Sequence, residues 1–342
     1  MLVLIVVLVN GTSKKGKTFP FFQFYYVSVE SIKVQSNIAP FANVAILQKS
    51  LKSKASSIGV GVHSGVRAML TICPAPQDTG VVFIRTDAPA AQSHIKAIAT
   101  NVTDTQLGTT ITNAHGVSVS TVEHVLAALY GMGIDNAYIE IDGPEVPILD
   151  GSSSPFIDMI RAVGVRTLAA PRRTIEILEV IEVRAGQKFA RLEPYNGFEL
   201  DVEIHFASKA IGHQHGVYDC SKDGFATELS EARTFGFMHQ VEMLRKNGLS
   251  RGGSLDNAIV VDGDEVMNQD GLRFSDEFVR HKALDAVGDL SLCGAPLLGR
   301  YVGHQPGHAL NVALVRQLLA NPQSWRINSV ALDTQILAAA GV

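Results

Sequence analysis

The stretch Phe274-Ser275-Asp276-Glu277-Phe278-Val279-Arg280-His281-Lys282-Ala283-Leu284-Asp285-Ala286-Val287-Gly288-Asp289-Leu290 carries two patterns at once. At ~100° per residue, helical winding brings His281, Asp285 and Asp289 within ~80° of one another and sets Lys282 at the edge of that arc. Val279, Ala283, Ala286 and Leu290 fall on the opposite side, the stripe that faces a core. Ser275 is placed to cap the start, and Asp276 and Glu277 suit the positive end of the helix dipole. Side chains at i and i+4 stack on one face, so His281 and Asp285 can both reach one metal ion. The competing reading is a solvated face carrying an ion pair, the commoner fate of charges on a helix. Lys282, Asp289 and a second histidine cluster far upstream favour a site.

At 342 residues, the chain has room for two domains and a sizeable core. A hydrophobic content of 46% against 18% charged residues describes an ordinary globular protein with no disordered bias. A net charge of −4 gives no electrostatic reason to expect nucleic acid. Cys73, Cys220 and Cys293 are odd in number and widely spaced, which suggests buried thiols in a reducing, cytoplasmic compartment. Residues 2–9 are apolar but too few to span a bilayer. Lys14, Lys15 and Lys17 follow them where a signal peptide carries its charge in front. A weak signal-anchor stays open. Residues 1–44 hold an aromatic cluster around Phe19 to Tyr26 and receive no function.

The second informative segment covers residues 118–133. Val122, Val125, Leu126 and Leu129 repeat at helical spacing, and Gly131 is a plausible stop. Ser120-Thr121-Val122-Glu123 fits a capping box, in which Glu123 only reaches back to a backbone N–H. On local pattern the cap is the stronger reading, with a chemical role for Glu123-His124 the alternative. Ile58-Gly59-Val60-Gly61-Val62-His63-Ser64-Gly65 has glycine spacing reminiscent of a phosphate loop but lacks its defining residues, so tight-turn glycines are expected.

Strands are expected at 81–85, at 137–141 and over Phe198-Glu199-Leu200-Asp201-Val202-Glu203-Ile204-His205-Phe206, which alternates strictly. Ser154 caps a helix with Pro155 at its first position. Residues 168–174, with Pro171 and two arginines, are the candidate linker between halves. His213 and His215 are placed in a polar loop without an acidic neighbour, a pair more often exposed than ligating. A helix near 241–247, a strand over 297–302 and a final helix at 311–319, with His308 at its mouth, complete the chain. Mixed strands and helices without strict alternation indicate an α+β fold.

Glu123-His124, His281 with Asp285, and His308 together suit metal-assisted hydrolysis. Two histidines and one carboxylate leave a zinc ion an open position. A neighbouring glutamate can accept a proton, a third histidine can donate one, and a lysine can steady a developing oxyanion. Sequence alone leaves open whether these segments meet.

The motifs Ser120-Thr121-Val122-Glu123-His124, Ala232-Arg233-Thr234-Phe235-Gly236-Phe237, Phe278 through Asp289, and Gly307-His308-Ala309-Leu310-Asn311 together resemble one family. It is the bacterial zinc-dependent UDP-3-O-acyl-N-acetylglucosamine deacetylase family of lipid A synthesis. Gly61-Val62-His63-Ser64-Gly65, Ile148-Leu149-Asp150-Gly151-Ser152 and Gly252-Gly253-Ser254-Leu255-Asp256-Asn257-Ala258 match it too, and the similarity runs from roughly 46 to 327 in the family's order. Residues 1–44 have no counterpart in it, and a misplaced start codon would account for them.

The resemblance implies zinc on His124, His281 and Asp285, with Glu123 as general base and His308, held protonated, as general acid. It implies that Asp289 orients His308, that Lys282 binds and polarises substrate, and that Thr234 stabilises the oxyanion. Phe235 and His63 would contact the UDP-linked, acylated glucosamine substrate, and the catalytic reading of Glu123 then overtakes the capping box. The family's fold implies two similar α+β domains, 45–170 and 171–330, each a β-sheet with helices on one face. Their helix layers pack together between the sheets, and an inserted acyl-chain-binding subdomain covers about 234–262. A tail would follow at 331–342. Val62 where leucine is common, and Tyr130, depart from the family pattern without touching a ligand. No nucleic-acid partner is implied, and at most peripheral contact with the inner membrane. A zinc amidase acting on another acylated amine, and a metal-free binding module for nucleotide sugars or acyl chains, are the competing readings.

Overall fold

The computed structural model describes residues 46–220 and 224–329 in full, and the backbone of 2–12 and 18–28. Leu2–Thr12 and Thr18–Ser28 pair antiparallel and belong to a unit separate from the rest. The expected tail at 331–342 lies outside the described residues. Among those residues no helix is long and apolar enough to cross a membrane.

From Leu47 onward the fold is α+β, with sheets, and with helices α1 (Glu123–Gly131), α2 (Ser154–Val163), α3 (Met238–Lys246), α4 (Glu277–Leu290) and α5 (His308–Ala320). A five-stranded sheet has Ala137–Ile141 at its centre, antiparallel to Arg67–Pro74 and parallel to Val81–Arg85. Ala55–Val60 and His94–Lys96 form its edges. A larger sheet is built on Leu297–His304, which pairs antiparallel with Lys188–Glu193 and parallel with both Thr174–Ile177 and Phe198–His205. In Phe198–His205 the apolar residues at alternate positions are buried, as strict alternation predicts.

Helix α2 packs on Ala55–Val60 and on α1, while α4 packs on Phe198–His205 and α5 on Ile181–Ala185. The helices of the two sheets meet where α1 crosses α4, and one continuous apolar core runs through the contact. Gly288 allows that approach, because a Cβ there would overlap the backbone of Glu123. Only Arg280 and Lys282 of α4 keep partial exposure. The helix is buried all round because it is wedged between a sheet and α1, so its polar arc is not the solvated face that charge alone suggests.

Four local expectations change. Helix α4 begins at Glu277 with Asp276 before it and no side-chain cap from Ser275; Asp276 instead takes Arg280 (2.6 Å), and Glu277 is fully buried. Helix α2 starts one residue earlier than expected, at Ser154, and the hydroxyl of the preceding Ser153 donates to the His124 carbonyl (2.8 Å). The linker at 168–174 is mostly strand: Val165–Pro171 pairs with Leu47–Leu51, and Thr174–Ile177 already belongs to the larger sheet. His213 and His215 lie on the strand His213–Asp219 and do have acidic neighbours, Glu203 (2.5 Å) and Asp201 (2.7 Å) across the ladder. Residue separation along the chain hid those cross-strand partners.

Gly131 does close α1, but for a different reason from termination. A side chain there would collide with the Phe225 ring, and the left-handed turn falls two residues later, at Gly133.

Candidate metal centre and active site

The α1–α4 contact sets the chemistry of the site. Helix α1 contributes Glu123 and His124 in its first turn, and α4 contributes His281, Lys282, Asp285 and Asp289. His124, His281 and Asp285 each offer a ligand atom within 4.8 Å of the others, and all three are buried. Among the described residues this is the one such group. Asp285 Oδ1 lies 3.3 Å from His281 Nε2 and 3.6 Å from His124 Nε2, and the two rings stand edge to face at 5.0 Å.

The donor set fits a metal ion. Asp285 Oδ1 and His124 Nδ1 are buried without a hydrogen-bond partner, an arrangement that costs free energy unless something else satisfies them. His281 Nδ1 donates to the Ala232 carbonyl (3.0 Å), which turns Nε2 toward Asp285, the way a metal-binding histidine is commonly held by its other ring nitrogen. Burial pushes the His281 imidazolium down to about 4, so the ring is neutral and able to ligate at physiological pH. Burial opposes the Asp285 carboxylate, yet His281 and Lys282 outweigh it and hold the group well below the usual range. Lys282 Nζ donates to Asp285 Oδ2 (2.7 Å) and lies 5.4 Å from the Phe235 ring centre.

His308 stands at the first position of α5 and meets the cluster from the other side. Its Nδ1 donates to Asp289 Oδ2 (2.9 Å). Burial draws the imidazolium down, but Asp289 and more distant carboxylates prevail and raise it to about 9. Glu123 is buried and its carboxyl is raised, chiefly by desolvation and against the pull of His308 and His124.

The capping box is absent. Thr121 sits at φ 56, in the left-handed region that β-branched residues avoid, and its hydroxyl donates to Glu145 (2.9 Å). Glu123 instead accepts the backbone N–H of Thr109 at Oε2 (2.9 Å). A strained backbone beside two chemically loaded side chains is the kind of outlier that marks functional positions.

A cavity of about 360 Å³ is lined by Glu123, His124, Lys282, Asp285 and His308. Thr234 and His63 border it, and Phe235, Val241, Leu244 and Leu255 give it an apolar arm. That arm belongs to a small sheet, Phe235–Phe237 parallel to Ile259–Asp262, and to α3 between them. Thr234 is tethered through its N–H to the Gly151 carbonyl (2.8 Å), and a Cβ on Gly151 would overlap the Asn257 carbonyl. Phe235 packs edge-on against Phe278 (5.0 Å) and Phe206 (5.7 Å). A second cavity, of about 300 Å³, lies against Tyr130, Asp135 and Arg172; none of the clustered residues borders it.

Of the candidate site residues, His63, Glu123, His124, Thr234, Phe235, Lys282, Asp285 and His308 border this cavity, while His281 lies behind it against Asp285 and Asp289 lies behind His308. The glycine-rich turn at 61–65 binds a carboxylate, not a phosphate: the backbone N–H groups of His63 (2.9 Å) and Ser64 (2.7 Å) donate to Glu145. Glu145, Thr109 and Asn311 were missed. Asn311 had a signal, since it lies three residues after His308 on one helix face. Thr109 and Glu145 had none.

A model of the family described as UDP-3-O-acyl N-acetylglycosamine deacetylase matches residues 48–320. A protein of Phenylobacterium zucineum named UDP-3-O-acyl-N-acetylglucosamine deacetylase is 50% identical over 288 residues, covering 84% of this chain and 98% of its own. One of Shewanella sp. (strain W3-18-1), with the same name, is 45% identical over 293 residues, covering 85% and 95%. Matched to that family over residues 48–320 and half identical to one of its members, the chain belongs to the UDP-3-O-acyl N-acetylglycosamine deacetylase family.

Proposed function

We propose that this chain is a cytoplasmic, zinc-dependent deacetylase of lipid A synthesis. It hydrolyses the acetamide of a UDP-linked, 3-O-acylated N-acetylglucosamine to acetate and a free amine. Water adds to the carbonyl carbon, the C–N bond breaks, and the nitrogen leaves with a proton. His124, His281 and Asp285 would hold the zinc ion, which supplies a Lewis acid that polarises the carbonyl and lowers the proton affinity of water.

The chain's own residues handle the protons and the negative charge. Glu123 takes the proton from the attacking water. His308 delivers a proton from Nε2, its Nδ1 being committed to Asp289. Thr234 and Lys282 steady the developing oxyanion, and Asp289 orients His308. Phe235 and the apolar arm accept the acyl chain, and His63, whose Nε2 meets the Leu107 carbonyl (3.1 Å), borders the polar part of the substrate.

The observation that carries this reading is the opposite treatment of two buried histidines on either side of Asp285 and Asp289. His281 leans on a backbone carbonyl and is kept neutral, as a ligand must be, while His308 leans on a buried carboxylate and is kept charged, as a proton donor must be. Environments that push like groups apart support separate roles for them. The test is a deacetylase assay on the nucleotide-linked substrate and on simple N-acetyl sugars, with and without chelator, alongside metal quantification. Stoichiometric zinc and chelator-sensitive turnover of the nucleotide-linked substrate are expected. Turnover unaffected by chelation, or confined to simple sugars, would overturn the proposal.

A further inference from the structure

Thr109 carries no charge, belongs to no motif above and is fully buried. Two of its three polar groups nevertheless end on carboxylates of the site, and the third at the entry to α1. Its N–H donates to Glu123 Oε2 (2.9 Å), and its hydroxyl donates to Asp289 Oδ1 (2.6 Å). Its carbonyl accepts the N–H of Val122 (3.2 Å), the residue just ahead of α1. The neighbouring Gly108 keeps the backbone close, since a Cβ there would stand 3.0 Å from Glu123 Oε1.

The other side of Asp289 is held as firmly. Asn311 Nδ2 donates to Oδ2 (2.9 Å), beside the His308 bond to the same oxygen. The Tyr301 hydroxyl donates to Asn311 Oδ1 (2.6 Å), which fixes which way the amide faces. Both oxygens of Asp289 are thus committed, one to Thr109 and the other to His308 and Asn311.

We infer that Thr109 is a positioning residue that holds Glu123 through its backbone and, through Asp289, His308 through its hydroxyl. The inference rests on the proton roles proposed above. Acceptor and donor come from different helices, α1 and α5, and Asp289 from a third, α4. A single residue touching both carboxylates sets the separation between the group that takes a proton and the group that gives one. Misplacement on the scale of an ångström between reacting groups is enough to slow a reaction strongly. A merely structural hydrogen bond would stabilise the fold and leave the ratio of kcat to KM effects unmarked.

Thr109→Val removes the hydroxyl while keeping shape and the N–H. The expected result in the zinc-loaded enzyme is a kcat lower by roughly tenfold or more, with KM and bound zinc unchanged, because general acid–base catalysis supplies about 10²–10⁴ in rate. Thr109→Ser should restore most of that loss. In an Asp289→Ala background the valine change should add less than about twofold, since the group it acts through is gone. Wild-type kcat in Thr109→Val, a loss confined to KM, or losses that multiply fully in the double variant would each overturn the inference. If the valine variant does not fold, Thr109→Ala is judged by the same outcomes. These failures are separable from failure of the function itself, which a wild-type chain inactive on the nucleotide-linked substrate would reveal.

Discussion

His308 Nδ1 and Asp289 Oδ2 lie 2.9 Å apart, with the Asp289 carboxylate wholly removed from solvent. Burial opposes an imidazolium there, but the Asp289 carboxylate prevails and raises its pKa to about 9. If the charged form donates the proton, kcat of the zinc-loaded enzyme should fall as pH rises, with its midpoint below that value because a cation beside Asp285 disfavours the imidazolium. Asp289→Asn should move the alkaline limb further down, measured as a pH–kcat profile. A limb that stays in place would remove His308 from the donor role. The same shift has a stability consequence. A histidine raised above its unfolded value of about 6.5 contributes stability that is fully present below that pH and is lost as pH rises toward 9. Thermal melting between those pH values should therefore decline more in the wild type than in His308→Ala.

Glu123 adjoins His124 without belonging to the clustered group of His124, His281 and Asp285 itself. Glu123→Ala should therefore retain zinc while losing turnover by about 10²–10⁴, the range that a general base supplies. Metal analysis and single-turnover kinetics on the same preparation would check it. Near-normal turnover in a zinc-loaded Glu123→Ala sample would mean that another group accepts the proton.

Gly288 is the point at which α4 touches the Glu123 backbone. Gly288→Ala inserts a methyl group into that contact, and overpacking of this kind costs about 1–3 kcal/mol. The variant should melt lower and bind zinc more weakly, because α1 carries His124 while α4 carries His281 and Asp285. Unchanged zinc affinity, read by competition with a chromogenic chelator, would show that the donor set does not depend on this helix contact.

How far the sequence reached varies by mechanism. The polar arc of α4 was legible because one helical period aligns His281, Asp285 and Asp289 whatever surrounds them. Glu123 was ambiguous: the Ser120-to-Glu123 spacing satisfies a capping box, and only the fold, which turns Thr121 to φ 56 and gives Glu123 the Thr109 N–H, shows that the box does not form. His213 and His215 were misplaced because their acidic partners sit on another strand. Pro171 suggested a linker, although a strand can end on proline, as Val165–Pro171 does against Leu47–Leu51 with a register shift between Thr167 and Pro171. Thr109 was invisible, since its partners lie 14 and 180 residues away and one of them is met by a backbone N–H that no side chain announces.

Arg233 and Glu277 form the buried pair that seats the segment before the apolar arm. Glu277 Oε1 accepts the Arg233 N–H (3.0 Å) and Nε (2.9 Å), and Oε2 accepts Arg233 Nη2 (3.2 Å) and the Arg273 N–H (2.6 Å). The pair lies between Ala232, whose carbonyl orients His281, and Thr234, which borders the cavity. Glu277→Ala strands a buried guanidinium, a loss of about 3–5 kcal/mol when one partner of such a pair is removed. Glu277→Gln keeps two acceptor lone pairs on one oxygen and should be milder in melting temperature. Both variants should weaken zinc binding, because the Ala232 carbonyl that turns His281 is no longer held. Zinc affinity equal to wild type in a folded Glu277→Gln protein would show that His281 keeps its orientation without this clamp.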